Sequence, residues 1–200
     1  MKIRSTKIEV ILGTLINKEE NVISVKSLGE FKNGALVPSE EVFELPMTEK
    51  AAENFDKCNV EEGSFISLSV VDGKVENFRF KGRYRLSVDF PKKDNPEEVT
   101  TGELNIFIGM AARVTPFEKM VQVSLPVQKK EGTDWYALNF WKGTSEENPV
   151  DLGEKALLEL QVPEGEKKPV FVAITGGGRK YTDKKGIERA SYSVRHFAVV

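Results

Sequence analysis

The chain has 200 residues, 40% of them apolar, which is enough for one large or two small cored domains. Its formal net charge of −2 argues against a general polyanion binder, which carries a basic excess. No apolar run is long enough to span a bilayer, Met1-Lys2-Ile3-Arg4-Ser5 is no signal peptide, and a lone Cys58 allows neither a disulfide nor a cysteine zinc site. A cytoplasmic protein stabilised by packing, without metal or cofactor, is the expectation.

In chain order, Ile8, Val10 and Leu12 alternate with other residues, then Ile23 and Val25, and Phe43 and Leu45 open a third candidate strand. Thr48 is a plausible N-cap for a helix over Glu49 to Cys58, in which Ala51, Ala52, Phe55 and Cys58 recur at helical spacing. Cys58 is thereby expected in the core. Ile66, Leu68 and Val70 alternate, Asp72-Gly73 supplies a tight turn, and Lys74 to Phe80 returns as a β-hairpin. The run Arg79-Phe80-Lys81-Gly82-Arg83-Tyr84-Arg85 interleaves cations with aromatics, a composition suited to phosphate and base contact and equally to a solvated exit strand. Arg83, Tyr84 and Arg85 enter the candidate site on that ground.

Residues 91–101 are polar, hold Pro91 and Pro96 and lack apolar periodicity, so they predict a linker between domains at 1–90 and 102–200. The second domain opens with Leu104, Ile106 and Ile108 and continues with Val121, Val123 and Leu125. In Thr133 to Lys142, period two puts Tyr136, Leu138 and Phe140 on one face and Trp135, Ala137, Asn139 and Trp141 on the other. Two indoles separated by a small and a polar residue make a platform for planar bases, unless both are buried in a two-sided sheet. Lys142 follows directly.

Asp151 to Leu160 predicts a helix, with Leu152, Ala156 and Leu160 at spacing four. Val170, Val172 and Ile174 lead into Gly176-Gly177-Gly178, which suits a sharp bend or a close approach. Arg179, Lys180, Lys184, Lys185 and Arg189 then fall within eleven residues holding two acids, Asp183 and Glu188. That cluster is either a solvated hairpin tip or, beside Tyr181, an anion-binding wall. Ala190, Tyr192 and Val194 alternate, and Phe197 and Val199 take the opposite phase, which predicts a bulge near Arg195 or His196.

The order strand, helix, short turn, hairpin occurs twice, from Phe43 to Phe80 and from Trp135 to Val200. Five short strands with a helix between the third and fourth is the arrangement of an OB barrel, so the fold class expected is all-β with one short helix per unit, as two tandem five-stranded OB barrels. The second half resembles the bacterial single-stranded DNA-binding protein family. The resemblance rests on Leu104 to Gly109, on Gly132 to Lys142, and on Arg179-Lys180-Tyr181-Thr182-Asp183-Lys184-Lys185-Gly186-Ile187-Glu188-Arg189. It implies base stacking by Trp135, Trp141 and Tyr181 and phosphate contact by Arg179, Lys180 and Arg189. That family forms tetramers of one-barrel protomers, so two barrels per chain would need only a homodimer, or serve as a monomer. It also recruits replication proteins through an acidic tail, whereas the sequence here runs to Val200 directly after the last expected strand. Such an outlier would suit a phage, plasmid or other mobile element.

The leading expectation is a non-enzymatic, sequence-independent binder of single-stranded DNA in replication, recombination or repair. The alternative is an OB module that docks a replication or recombination protein, a role suited to the acidic, tryptophan-free first half. An enzyme is disfavoured. His196 has no Cys, Ser or carboxylate motif beside it, the triple glycine lacks the spacing of a phosphate loop, and Glu146-Glu147 sits in a polar loop.

Overall fold

The computed structural model describes residues 1–5, 7–32, 35–92, 94–145, 149–183 and 186–200. Among the described residues the chain is all-β apart from two short helices. Its strands begin with β1 (Lys2–Arg4), β2 (Glu9–Glu19), β3 (Val22–Ser27), β4 (Glu30–Lys32), β5 (Ala35–Val37) and β6 (Val42–Pro46). Helix α1 (Glu49–Asp56) precedes β7 (Phe65–Val71), β8 (Lys74–Arg79), β9 (Gly82–Pro91) and β10 (Val99–Met110). Then come β11 (Arg113–Pro116), β12 (Met120–Gln128), β13 (Thr133–Trp141), α2 (Leu152–Leu160), β14 (Val170–Thr175), β15 (Arg179–Thr182) and β16 (Glu188–Val199).

Two compact units result. The first comprises Met1–Glu30, Leu36–Phe80 and Leu86–Thr101, and the second Phe31–Ala35, Lys81–Arg85 and Gly102–Val200. This differs from the predicted linker at 91–101. Pro91 closes β9, Val99 opens β10, and between them a turn forms in which the Lys92 N–H donates to the Glu98 carbonyl at 2.8 Å and the Glu98 N–H to that of Asn95 at 3.0 Å. Prolines and polar residues serve a turn between strands as well as they serve a linker, and composition does not separate the two.

In the first unit the strand order is β6-β3-β2-β7-β8, every neighbouring pair antiparallel. A parallel bridge from Met47 to Val75 joins the two ends of that order, and the Thr48 N–H donates to the Val75 carbonyl at 3.0 Å. Ile11, Leu15, Ile23, Val25, Ile66 and Leu68 fill the interior, with Ala51, Ala52 and Phe55 of α1 packed on them. Thr48 caps α1 as predicted, accepting from the Ala51 N–H, and Asp72 (φ 48) and Gly73 (φ 76) make the hairpin turn. Cys58 corrects the sequence reading. The helix stops at Asp56, two residues short, so the thiol is exposed and donates to the Asn54 carbonyl at 3.2 Å.

The second unit closes differently in detail and alike in plan. Its sheet runs β11-β12-β13-β16-β14-β10-β9, with β13 and β16 parallel and β15 paired to β16. Asn105–Met110 pairs with β14, the chain bends at Ala111-Ala112, and Arg113–Pro116 pairs with β12. The Ala112 N–H donates to the Ser124 carbonyl at 2.9 Å across that bend. One bent segment therefore pairs on both sides and closes a ring. Taking β10 with β11 as its first strand, this ring and that of the first unit share one cyclic order: the first strand lies between the second and fourth, and the third meets the fifth in parallel. Each helix connects third strand to fourth.

Phe107, Val123, Leu125, Leu138, Phe140, Phe171 and Phe197 dominate the second core, under Leu152, Ala156 and Leu160 of α2. The alternating residues of the sequence are buried, and on several strands so is the opposite phase. Val10, Leu12, Ile106, Ile108 and Val172 are buried, yet the interior phase is held by Ile11, Leu15, Phe107, Phe171 and Ala173. Where both phases of a strand are apolar, period two cannot choose the face. The predicted bulge is present: register shifts between Ile174, opposite His196, and Thr175, opposite Val194, which leaves Arg195 over.

Candidate nucleic-acid interface

Strand β13 carries the platform. Leu138 and Phe140 are fully buried, while Trp135 and Trp141 keep 53% and 49% of their surface exposed, which leaves each indole a face for stacking. The alternative of two buried indoles is thereby set aside. Trp141 is oriented by its Nε1–H, which donates to the Ser193 hydroxyl at 3.2 Å, and Gln122 donates to the Asn139 side chain at 3.1 Å between the two indoles.

Register places the neighbours. Arg113, Ser124, Ala137, Ser191 and Arg179 are successive cross-strand partners, so they form one outward row over β11, β12, β13, β16 and β15. With strands about 4.8 Å apart the row runs for about 19 Å. Its floor is small side chains and each end is an arginine. Trp135, opposite Pro126, and Tyr181, opposite Arg189, stand two residues along on one side; Thr115, Gln122, Asn139 and Ser193 stand two residues along on the other, with Trp141 beyond. Tyr181 is 39% exposed and Arg179 is exposed. A groove of about 330 Å³ lies between Trp135 and the hairpin, lined also by Asp134, Lys180, Glu188 and Arg189.

The hairpin cations are not equivalent. Lys180 pairs with Glu188 at 3.6 Å, both side chains well exposed, an arrangement that costs little to exchange for phosphate. Arg189 donates through Nε to Asp183 at 2.9 Å, and Asp183 also accepts from the Ile187 N–H at 3.0 Å, so this carboxylate shapes the turn while aiming the guanidinium. Lys184 and Lys185 lie outside the described residues, as do Glu146 and Glu147. Lys142 is half-buried past the end of β13, its stem so close to Gly153 that a Cβ there would come within 2.6 Å of it.

Of the three predicted residues on β9, Arg83 and Tyr84 are held in packing and Arg85 is exposed. Arg83 is a structural knot: Nε and Nη2 donate to the Asn105 side-chain oxygen at 2.9 and 2.6 Å, and Nη1 donates to the Tyr136 hydroxyl at 3.4 Å. Its guanidinium carbon lies 5.5, 5.0 and 5.1 Å from the rings of Phe107, Tyr136 and Tyr192. Tyr84, 6% exposed, offers no face to a base. Arg85 is open to solvent but held by Glu103 at 2.6 Å. Arg83 and Arg85 share one face of β9 and Tyr84 takes the other; Arg83 is drawn onto the core rings and Tyr84 is buried, which the interleaved composition could not reveal.

Electrostatics follow the same division. The Asn105 amide, helped by Arg85, holds the Glu103 carboxyl below the usual carboxylate range, and Lys129 does the same for Asp134. Asp134 also accepts from the Tyr136 hydroxyl at 3.0 Å, which ties the base of the platform to the Arg83 cage. Burial pushes the Tyr192 phenol up. His196, the one histidine, stacks on Phe31 with centroids 5.1 Å apart and planes 18° from parallel, and burial lowers its pKa. Among the described residues, no group of three or more His, Cys, Asp or Glu is placed to hold a metal ion, and no helix is long and apolar enough to cross a membrane.

Arg113 and Thr115 went unmarked by the sequence. The signal was present in Arg113-Val114-Thr115, but its relevance depends on a cross-strand register that a single strand does not carry. No protein-family model matches the chain, and no curated protein matches it.

Proposed function

We propose that the second unit binds single-stranded DNA, without sequence preference and without catalysis, across the outer face of β11, β12, β13, β16 and β15. The observation that carries this is the shared outward phase of Trp135, Trp141 and Tyr181 with Arg113 and Arg179. Exposed rings stack on any base, for on the order of 1–3 kcal/mol each, and the arginines add a salt-dependent attraction to phosphate. The common ring order, with third and fifth strands parallel and a helix between third and fourth, supports reading both units as OB barrels. The resemblance to bacterial single-stranded DNA-binding proteins points the same way. A cytoplasmic role in replication, recombination or repair, in a phage or other mobile element, fits such a binder, and light scattering against protein concentration distinguishes homodimer from monomer. Oligo-dT titrated against the protein quenches tryptophan fluorescence, whereas duplex of the same length binds weakly. Unchanged fluorescence at saturating oligo-dT rejects the proposal.

A second reading, the docking of a replication or recombination protein, applies to the first unit. There the corresponding face carries Glu19, Val22, Val42 and Glu44. Co-purification that survives nuclease and is abolished by Glu44→Lys supports that role; co-purification lost to nuclease rejects it.

A further inference from the structure

We infer that Gly178 is a positioning residue for the nucleic-acid face: having no side chain, it lets the β15–β16 hairpin seat against the Tyr192 ring and so aligns Arg179 and Tyr181 with Trp135. The inference rests on the reading of that face as the DNA site.

A Cβ placed on Gly178 would lie 2.6 Å from both Cε1 and Cζ of Tyr192 and 3.0 Å from its hydroxyl oxygen. Carbon atoms do not approach so closely, so either the ring or the backbone has to move. The ring is confined. Tyr192 is 5% exposed, packs edge-on to Phe107 at 4.9 Å and Tyr136 at 5.9 Å, and carries the Arg83 guanidinium at 5.1 Å. Arg83 is in turn bound to Asn105, which is fully buried.

The backbone is less constrained. Beyond Gly178 comes β15, four exposed residues that, among the described residues, pair with β16 alone. A side chain at 178 therefore displaces the hairpin and leaves the core in place. Gly178 is not at positive φ, so the requirement is steric and not conformational. Its neighbours differ: the nearest atoms to a Cβ on Gly176 are the flexible tip of Arg195, at 3.2 Å, and one on Gly177 would meet Glu103 at 3.9 Å, ordinary contact. Of the three consecutive glycines, one is required by contact.

The test uses the full chain with Gly178→Ala, Gly176→Ala, Tyr181→Ala and the Gly178→Ala/Tyr181→Ala pair, each titrated with fluorescent oligo-dT. Gly178→Ala is expected to weaken binding about tenfold, the worth of one misplaced stacking residue, and Gly176→Ala by less than about twofold. In the Tyr181→Ala background Gly178→Ala adds less than about twofold, since the residue it positions is already gone. In the free protein, amide resonances shift at 178–182 and 188–192 and hold still along β12. Equal binding by wild type and Gly178→Ala, fully additive losses in the pair, shifts spread through the core, or a Gly178→Ala chain that fails to fold each overturn the inference. A wild type that does not bind oligo-dT overturns the reading of the face and the inference with it.

Discussion

The two rings share a strand order, a parallel meeting of third and fifth strands and a helix at the same point in the order, yet their outer faces are chemically opposed. On β13, the third strand of the second ring, the outward residues are Trp135, Ala137, Asn139 and Trp141; on β6, the third of the first, they are Val42, Glu44 and Pro46. Facing β6, the outward residues of β3 are Val22, Ser24 and Lys26, none of them aromatic. Both tryptophans and all four tyrosines of the chain lie in the second unit. Ring order is thus a scaffold common to both units, and the chemistry of each outer face is set by the outward phase of a few strands.

Removing that phase should abolish the distinction. Trp135→Ala with Trp141→Ala is expected to cost about 2–6 kcal/mol of binding to oligo-dT, measured by anisotropy with the label on the DNA, while the melting temperature changes little. Arg83→Ala strikes the interior of the same unit. It leaves the buried Asn105 and the Tyr136 hydroxyl without their guanidinium partner, and about 2–4 kcal/mol of stability should be lost in urea titration. Comparable stability of Arg83→Ala and wild type would deny the cage its structural role.

Smaller effects sharpen the contrast. Arg113→Ala should lower the slope of log K against log salt by about 0.7, one phosphate contact on a single strand, and Glu44→Lys on the first unit should leave the slope unchanged. The pH dependence singles out His196. Burial against Phe31 lowers its folded pKa, so the neutral ring favours the folded state. That stability is full above the ordinary histidine value and is lost as pH falls through the lower folded one. His196→Phe should flatten the stability profile on the acid side of the ordinary histidine value, and an unchanged profile would assign the slope elsewhere.

Much of this was legible in the sequence. Thr48 and Asp151 mark both helix starts, Asp72-Gly73 the hairpin, and the phase change after Val194 the bulge. The indole face of β13 was readable because only one of its phases is strongly apolar. Elsewhere the pattern fails for a physical reason. In β2, β10 and β14 both phases are apolar and both are buried, so alternation marks Val10, Ile106 and Val172 but cannot tell that Ile11, Phe107 and Phe171 hold the interior clusters. Arg83 and Tyr84 look like surface residues in Arg79 to Arg85, because a cation caged by three rings and a buried tyrosine have the composition of a basic aromatic patch. Arg113 was invisible for the converse reason: its importance comes from four strand pairings that align it with Arg179.

The proposed function requires the face bearing Trp135 and Trp141 to stack the bases of single-stranded DNA. Its most direct measurement is the intrinsic tryptophan fluorescence of the full chain during titration with oligo-dT at low and at high salt. Since both indoles of the protein lie on that face, deep, saturable quenching is expected at low salt, and a weaker affinity with the same final quench at high salt. Binding detected on the DNA label with no change in tryptophan emission would contradict it.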